Sequence, residues 1–79
     1  MPRYFFHVRD GETYVDLQGT ILPDTGAAKK EAVRFAGSLL SEAPETFWDG
    51  SEWIMRVTDE KDLTLFTLTF FATGGAVNC

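Results

Sequence analysis

The sequence predicts an α+β fold of two layers, in which a mostly antiparallel four-stranded sheet carries one helix on one face in the order ββαββ. Two observations support this prediction. Residues 3–9 and 52–71 alternate with the period of two that is typical of strands, and the segment 24–42 between them is amphipathic with a helical period. Because the chain has only 79 residues, we expect a single domain over residues 1–72 and a flexible tail over 73–79.

The first hairpin is predicted from residue 3 to about residue 21. Aromatic and β-branched side chains dominate residues 3–9, and Asp10-Gly11 follows as a turn that tolerates positive φ. Residues 13–17 have the pattern of a shorter return strand, and this second arm could extend past Gly19 to Ile21.

The helix is predicted to begin at Leu22-Pro23-Asp24 and to end before Pro44. Proline cannot continue a sheet ladder, and the Asp24 carboxylate can accept from the free amides of the first helical turn. Gly37 falls on the polar side, where it should cost about 1 kcal/mol relative to alanine. The opposite side gathers small and apolar residues that suit close packing on a sheet: Ala28, Ala32, Phe35, Ala36, Leu39 and Ala43.

Residues 44–51 are predicted to form a loop that ends in the turn signal Asp49-Gly50. Phe47 and Trp48 lie in this loop. We favour the interpretation that they cover the end of the core over the alternative of a partner-binding patch.

The second hairpin is predicted from residue 52 to residue 71, with a polar turn over residues 59–62. The helix should cover one face of the complete sheet, formed by Tyr4, Phe6, Val8, Trp53, Met55, Val57, Phe66, Leu68 and Phe70. The other face would stay open, with Phe5, His7, Arg9, Ile54, Arg56, Leu65, Thr67 and Thr69. Because this open face mixes apolar and basic groups, we expect function there, and the predicted interaction residues are Phe5, His7, Arg9, Ile54, Arg56 and Leu65.

Composition disfavours several classes of partner. The formal net charge is −5, and the seven basic residues are scattered, with only Lys29 and Lys30 adjacent, so direct binding of nucleic acid is not expected. No apolar run is long enough to cross a bilayer, and the start of the chain does not have the pattern of a signal peptide. With Cys79 as its one cysteine, the chain is compatible with a reducing compartment, and we expect it in the cytoplasm.

The candidate chemical residues have no motif around them. His7, the only histidine, lacks an identifiable acid or nucleophile to work with as a general base, and a surface or interface role is favoured. Asp10, Glu12 and Asp16 could approach one another and bind a hard cation, but they lack the spacing of a calcium loop. A solvated acidic turn is therefore preferred.

The end of the chain offers no site either. Cys79 has no basic neighbour in sequence to activate its thiol, and Gly74-Gly75 precedes no helix that could make it a phosphate loop. We therefore predict no catalytic residue, no metal and no cofactor.

The whole pattern resembles a family of short bacterial proteins known as a domain of unknown function. The resemblance rests on the opening 1–11, on Gly19-Thr20 and Leu22-Pro23-Asp24, on Ala28 with Glu31-Ala32, and on the strand 53–60. It implies the ββαββ order and brings no activity, cofactor or site residue. In the family pattern the position of His7 often carries an acid, and the turn after Glu60 often carries a glycine where this chain has Lys61-Asp62.

A second resemblance covers fewer features. Small antitoxins that join a hairpin to an acid-capped helix are similar at Asp10-Gly11, Leu22-Pro23-Asp24 and Glu31-Ala32. Any small α+β domain produces these features, so no contact residue is implied.

Three functions follow as hypotheses. The preferred one is a non-enzymatic module that binds a protein partner, or a second copy, through the open face. The alternative is a small anion-binding protein or enzyme that uses His7, Arg9 and Arg56. A further alternative is an antitoxin-like partner of a basic protein.

Overall fold

A computed structural model of the chain describes residues 1–49 and 52–73. These residues form five strands and two helices, which confirms the predicted α+β class. In chain order they are β1 Arg3–Asp10, β2 Glu12–Tyr14, β3 Thr20–Ile21, α1 Thr25–Glu42, α2 Pro44–Asp49, β4 Trp53–Thr58 and β5 Thr64–Phe70.

The strands form one antiparallel sheet in the order β2-β1-β4-β5, and β3 pairs with β1 beside β2. Strands β1 and β4 occupy the centre, where Phe6 lies opposite Val57 and His7 lies opposite Arg56. Consecutive residues of a strand point to opposite faces. The same pairing therefore buries Phe6 and Val57 on the helix side and places His7 beside Arg56 on the other side.

The second arm of the first hairpin differs from the prediction because it is split in two. Strand β2 covers Glu12–Tyr14 and β3 covers Thr20–Ile21, and residues 15–19 leave the sheet between them. The split explains why the sheet has five strands rather than the predicted four within the described residues. Its physical cause is the Asp16 side chain, which takes over a hydrogen bond of the sheet.

Helix α1 begins and packs as predicted. Asp24 is its N-cap, and the Asp24 carboxylate accepts from the Ala27 N–H at 2.8 Å. Ala28, Ala32 and Ala36 are completely buried. Because three alanines in a row on one side add little bulk, the helix can lie close to the sheet, and it approaches β4.

The core lies between α1 and the predicted face of the sheet. Its buried part consists of the three alanines of α1 and of side chains from β1 and β4, namely Tyr4, Phe6, Val8, Trp53, Met55 and Val57. Each large apolar side chain buried in this way contributes about 1.5–3 kcal/mol. Phe66, Leu68 and Phe70 of β5 pack against this core but are only half-buried, since one helix does not cover all four strands in width.

Residues 44–49 form the short helix α2 rather than the predicted loop. Pro44 is its first residue, a position where the missing N–H of proline is not needed. Phe47 packs against the core as expected, whereas Trp48 is 64% exposed. The role of covering the core therefore falls on Phe47 alone.

The turn between β4 and β5 is closed by Asp59. The Asp59 carboxylate accepts from the N–H groups of Lys61 at 2.8 Å and of Leu63 at 3.0 Å. Asp62 has a φ of 64°, in the left-handed region that favours glycine. This backbone conformation is a physical reason for the glycine that the resembled family often carries in this turn.

A β-bulge next to this turn corrects one predicted position. Val57 pairs with Phe66 and Thr58 pairs with Thr64, so Leu65 is left without a partner residue on β4. Its side chain is half-buried and packs against the core. The extra residue breaks the alternation on which the assignment of Leu65 to the open face depended.

Several predicted features lie outside the described residues. They are Gly50 of the turn signal, Gly74-Gly75, Cys79 and residues 74–79 of the predicted tail.

Two glycine substitutions should have opposite effects on stability. Gly37→Ala should raise the free energy of unfolding by about 0.5–1 kcal/mol, because Gly37 lies within α1 and an added Cβ meets no atom within 4 Å. Gly19→Ala should lower it by at least about 1–2 kcal/mol, because Gly19 has a φ of 72° and an added Cβ would lie 2.8 Å from Arg3 Cγ. Urea unfolding at 25 °C measures both changes. A destabilised Gly37→Ala variant would contradict this account of α1.

Candidate functional site

The open face contains five of the six predicted interaction residues. Phe5, His7 and Arg9 of β1 lie opposite Thr58, Arg56 and Ile54 of β4, in that order. Phe5, His7, Ile54 and Arg56 are half-buried, and Arg9 is exposed. The structure therefore brings together Phe5, His7, Arg9, Ile54 and Arg56, and it removes Leu65 from this group.

The loop of residues 15–19 borders the open face at the Phe5 end. Its conformation is held by the Asp16 carboxylate, which accepts three backbone hydrogen bonds: from Phe6 at 3.1 Å, from Gln18 at 3.1 Å and from Gly19 at 3.0 Å. The bond from Phe6 replaces the one that a continuous edge strand would supply to β1. Arg3 adds a further tie through its bond to the Gln18 carbonyl oxygen at 2.7 Å.

His7 ties the same loop to the centre of the sheet. Its Nδ1 accepts from the Asp16 backbone N–H at 3.1 Å, and its Nε2 lies 3.1 Å from Thr58 Oγ1. Since a backbone N–H can only donate, Nδ1 carries no proton, and the neutral ring donates from Nε2 to Thr58. Both ring nitrogens therefore have partners. The ring also stacks beside that of Phe5, with 6.4 Å between the two ring centroids.

The electrostatics of Asp16 follow from this hydrogen bonding. Desolvation by partial burial raises the pKa of the Asp16 carboxyl, but the hydrogen bonds from the N–H groups of Gly19, Phe6 and Gln18 outweigh it. The net result is a pKa below the ordinary value of Asp. The loop is thus held by an ionised carboxylate.

The loop presents two apolar side chains to solvent. Val15 is 52% exposed and Leu17 is 86% exposed. Together with Phe5 and His7 they line a shallow hollow of about 230 Å³. The acidic turn after β4 forms the remaining border of this hollow, with Asp59, Glu60 and Asp62.

Sequence reasoning did not find Val15, Leu17 or the role of Asp16. The available signal was local: an aspartate followed by Gln18 and Gly19 at positions +2 and +3 is typical of a side chain that accepts from the backbone in a turn. The strand-like alternation of residues 13–17 hid this signal.

The geometry gives little support to the alternative of an anion site at His7, Arg9 and Arg56. His7 already uses both nitrogens, and Arg56 donates to Thr64 Oγ1 at 3.1 Å and lies 3.7 Å from the Asp62 carboxylate. Of these three residues, Arg9 alone has no side-chain hydrogen bond or ion pair within the described part of the chain. An anion would have to compete with these internal partners.

The predicted acidic triplet is not brought together. Asp10 and Glu12 line a cleft on the helix side of the hairpin, whereas Asp16 borders the open face. Over residues 1–49 and 52–73, no group of three or more His, Cys, Asp and Glu could hold a metal ion. No helix in the same ranges is long and apolar enough to cross a membrane.

Comparison with known proteins gives one match. The family model described as Domain of unknown function (DUF6894) matches residues 3–72. No curated protein and no solved structure shows a significant match to the chain. The match confirms the family resemblance of the sequence and adds no activity or partner.

Asp16→Asn should destabilise the protein in a pH-dependent way. The variant keeps the shape of the side chain but loses the charge that three N–H groups face, so its free energy of unfolding should be lower by about 1–2 kcal/mol at neutral pH. Because the pKa of Asp16 is lower in the folded state, this stabilisation is complete above the unfolded value of about 4 and is lost as the pH falls through the folded value.

Urea unfolding of both proteins between pH 7 and pH 2.5 checks this expectation. Glu60→Gln, which changes an exposed carboxylate, is the control and should show little difference from the parent protein at any of these pH values. A difference for Asp16→Asn that stays constant down to pH 2.5 would contradict the role of the ionised carboxylate.

Proposed function

The chain belongs to the DUF6894 family, and we propose that it is a non-enzymatic protein-interaction module whose partner is a second copy of itself. The proposed contact surface is the open face together with the loop of residues 15–19. Neither nucleic acid nor a membrane is part of the proposal, because the basic residues are scattered. A cytoplasmic location is proposed with it, on the basis of the single cysteine.

The observation that supports this function most strongly is the exposure of Leu17. Four hydrogen bonds through Asp16 hold the backbone of the loop, and the aliphatic side chain of Leu17 stays 86% exposed on it. Preorganised apolar groups bind with a smaller loss of entropy when a partner covers them. Phe5 and Ile54 extend the apolar surface, and both are already half-buried.

The charges on this face favour a second copy as the partner. Arg9 lies near one end of β1, opposite Ile54, whereas Asp59, Glu60 and Asp62 follow β4 at the other end. Asp59 follows Ile54 by five positions along the chain, which corresponds to about 17 Å of extended strand. A two-fold axis through the face would place the basic end of each copy against the acidic end of the other.

Leu17→Glu and Ile54→Glu should abolish the dimer and leave the fold intact. Both residues are at least partly exposed, so a carboxylate is tolerated in the monomer, but in the dimer it would be buried without a partner. Val33→Glu is the matched control, because Val33 is 60% exposed on α1 and lies away from the open face. Light scattering over a concentration range, with reductant present because of Cys79, gives the mass of each protein.

A charge exchange tests the predicted orientation. Arg9→Glu should weaken the dimer about tenfold, and adding Glu60→Arg in the same chain should restore part of the loss, because the new acid at position 9 of one copy can then pair with the new base at position 60 of the other. Circular dichroism confirms that each variant is folded. A parent protein that is monomeric at every concentration, or a dimer that survives both Leu17→Glu and Ile54→Glu, would contradict the proposal.

A further inference from the structure

A cleft lies on the helix side of the sheet, away from the open face. It has a volume of about 590 Å³, within the range of small-molecule sites. The hairpin β1–β2 forms one wall and the C-terminal half of α1 forms the other. Its walls are apolar, with Val8, Phe35, Leu39 and Trp53.

The charged residues that line the cleft are both acidic. Asp10 and Glu12 lie side by side across the hairpin, where they are paired, and both line the cleft. None of the residues lining it is lysine, arginine or histidine. An anion would therefore meet repulsion, and a cation would meet attraction.

Asp10 provides a second and independent observation. Its Oδ1 is buried, and it has no hydrogen-bond partner within the described residues. Buried carboxylate oxygens in folded proteins are normally hydrogen-bonded, since the loss of water around them is otherwise not compensated. A ligand that contacts this oxygen would have to be a donor, because a carboxylate oxygen accepts hydrogen bonds.

The end of α1 adds negative potential to the same cleft. Leu39 and Ala43, in the last turn and at the C-cap, line it, and the C-terminus of a helix carries about half a negative charge. The last turn contains no basic residue that would balance this charge. Two acidic residues and the end of a helix thus give this cleft a negative potential, which favours a positive ligand.

We propose that this cleft binds a small organic cation, in which a primary ammonium group is attached to an apolar body. The ammonium group donates to Asp10 and is attracted by Glu12, and the apolar body lies between Phe35 and Trp53. The inference is independent of the proposed dimer, because it uses the opposite side of β1: Val8 and Asp10 face the cleft, whereas His7 and Arg9 belong to the open face.

The probe is 4-phenylbutylamine, compared with 4-phenylbutanol and 4-phenylbutyrate, which keep the apolar body and change the charge from positive to neutral or negative. Titration is followed by the indole N–H resonances in ¹⁵N–¹H correlation spectra. Trp53 lines the cleft and Trp48 does not, so the protein contains an internal control. The amine should shift the Trp53 resonance saturably, with at least tenfold higher affinity than the alcohol, and the acid should not bind.

Substitution of Asp10 and Glu12 tests whether these two residues bind the ammonium group. Asp10→Asn and Glu12→Gln should each weaken binding of the amine, Asp10→Asn by tenfold or more, whereas Glu31→Gln removes the same charge outside the cleft and should leave the affinity unchanged. If Asp10→Asn does not fold, the exposed Glu12 still gives a readable variant. Equal binding of amine and alcohol, a shift of Trp48 alone, or an unchanged affinity in both acidic variants would overturn the inference.

Discussion

The hydrogen bond from the Phe6 backbone to the Asp16 carboxylate is the interaction on which the shape of this protein depends most. Strand β1 is central, and a peptide N–H on its outer side must find an acceptor wherever the edge strand leaves the sheet. Asp16 supplies that acceptor from a side chain, and its own N–H then reaches His7. The edge strand can therefore be interrupted without leaving the Phe6 N–H unsatisfied, and the interruption creates the loop that carries Leu17.

A single helix on a wide sheet is the second constraint. The alanine side of α1 lies close to β4 and buries the two central strands, but the helix-side residues of β5 stay half-exposed, and no element of residues 1–49 and 52–73 covers the opposite face. The uncovered parts differ chemically. The open face combines apolar side chains with charges of both signs, whereas the cleft beside the end of α1 is apolar with negative charge alone.

The regular parts of the fold were predictable from sequence, because they depend on periodicity and on local turn chemistry. The alternation in β1 and β4 identified the buried and open faces, and Asp24 marked the start of α1. The split of the second arm was not predictable in the same way, since residues 13–17 alternate like a strand and only the position of Phe6 in space shows what Asp16 binds. The six residues of α2 are too few for a helical period to be visible.

The residues of the open face could be predicted from sequence where the alternation of a regular strand places them there. Five of the six residues expected on the open face share it, and Leu65 does not, because the bulge beside the Asp59 turn shifts the alternation. Which atoms His7 contacts depends on residues 9 and 51 positions away, Asp16 and Thr58, and no local pattern contains that information.

The two proposed surfaces require partners of different kinds for an electrostatic reason. A face with basic and acidic ends can be satisfied by the same face rotated by two-fold symmetry, so the chain contains its own complement. The cleft is negative throughout, and the basic residues of the chain nearest to it along β1, such as Arg9, belong to the opposite face. No copy of the chain docked through the open face could therefore supply the missing donor to Asp10. In the proposed dimer both clefts would face outward and remain accessible, and each could take up its cation independently of the other.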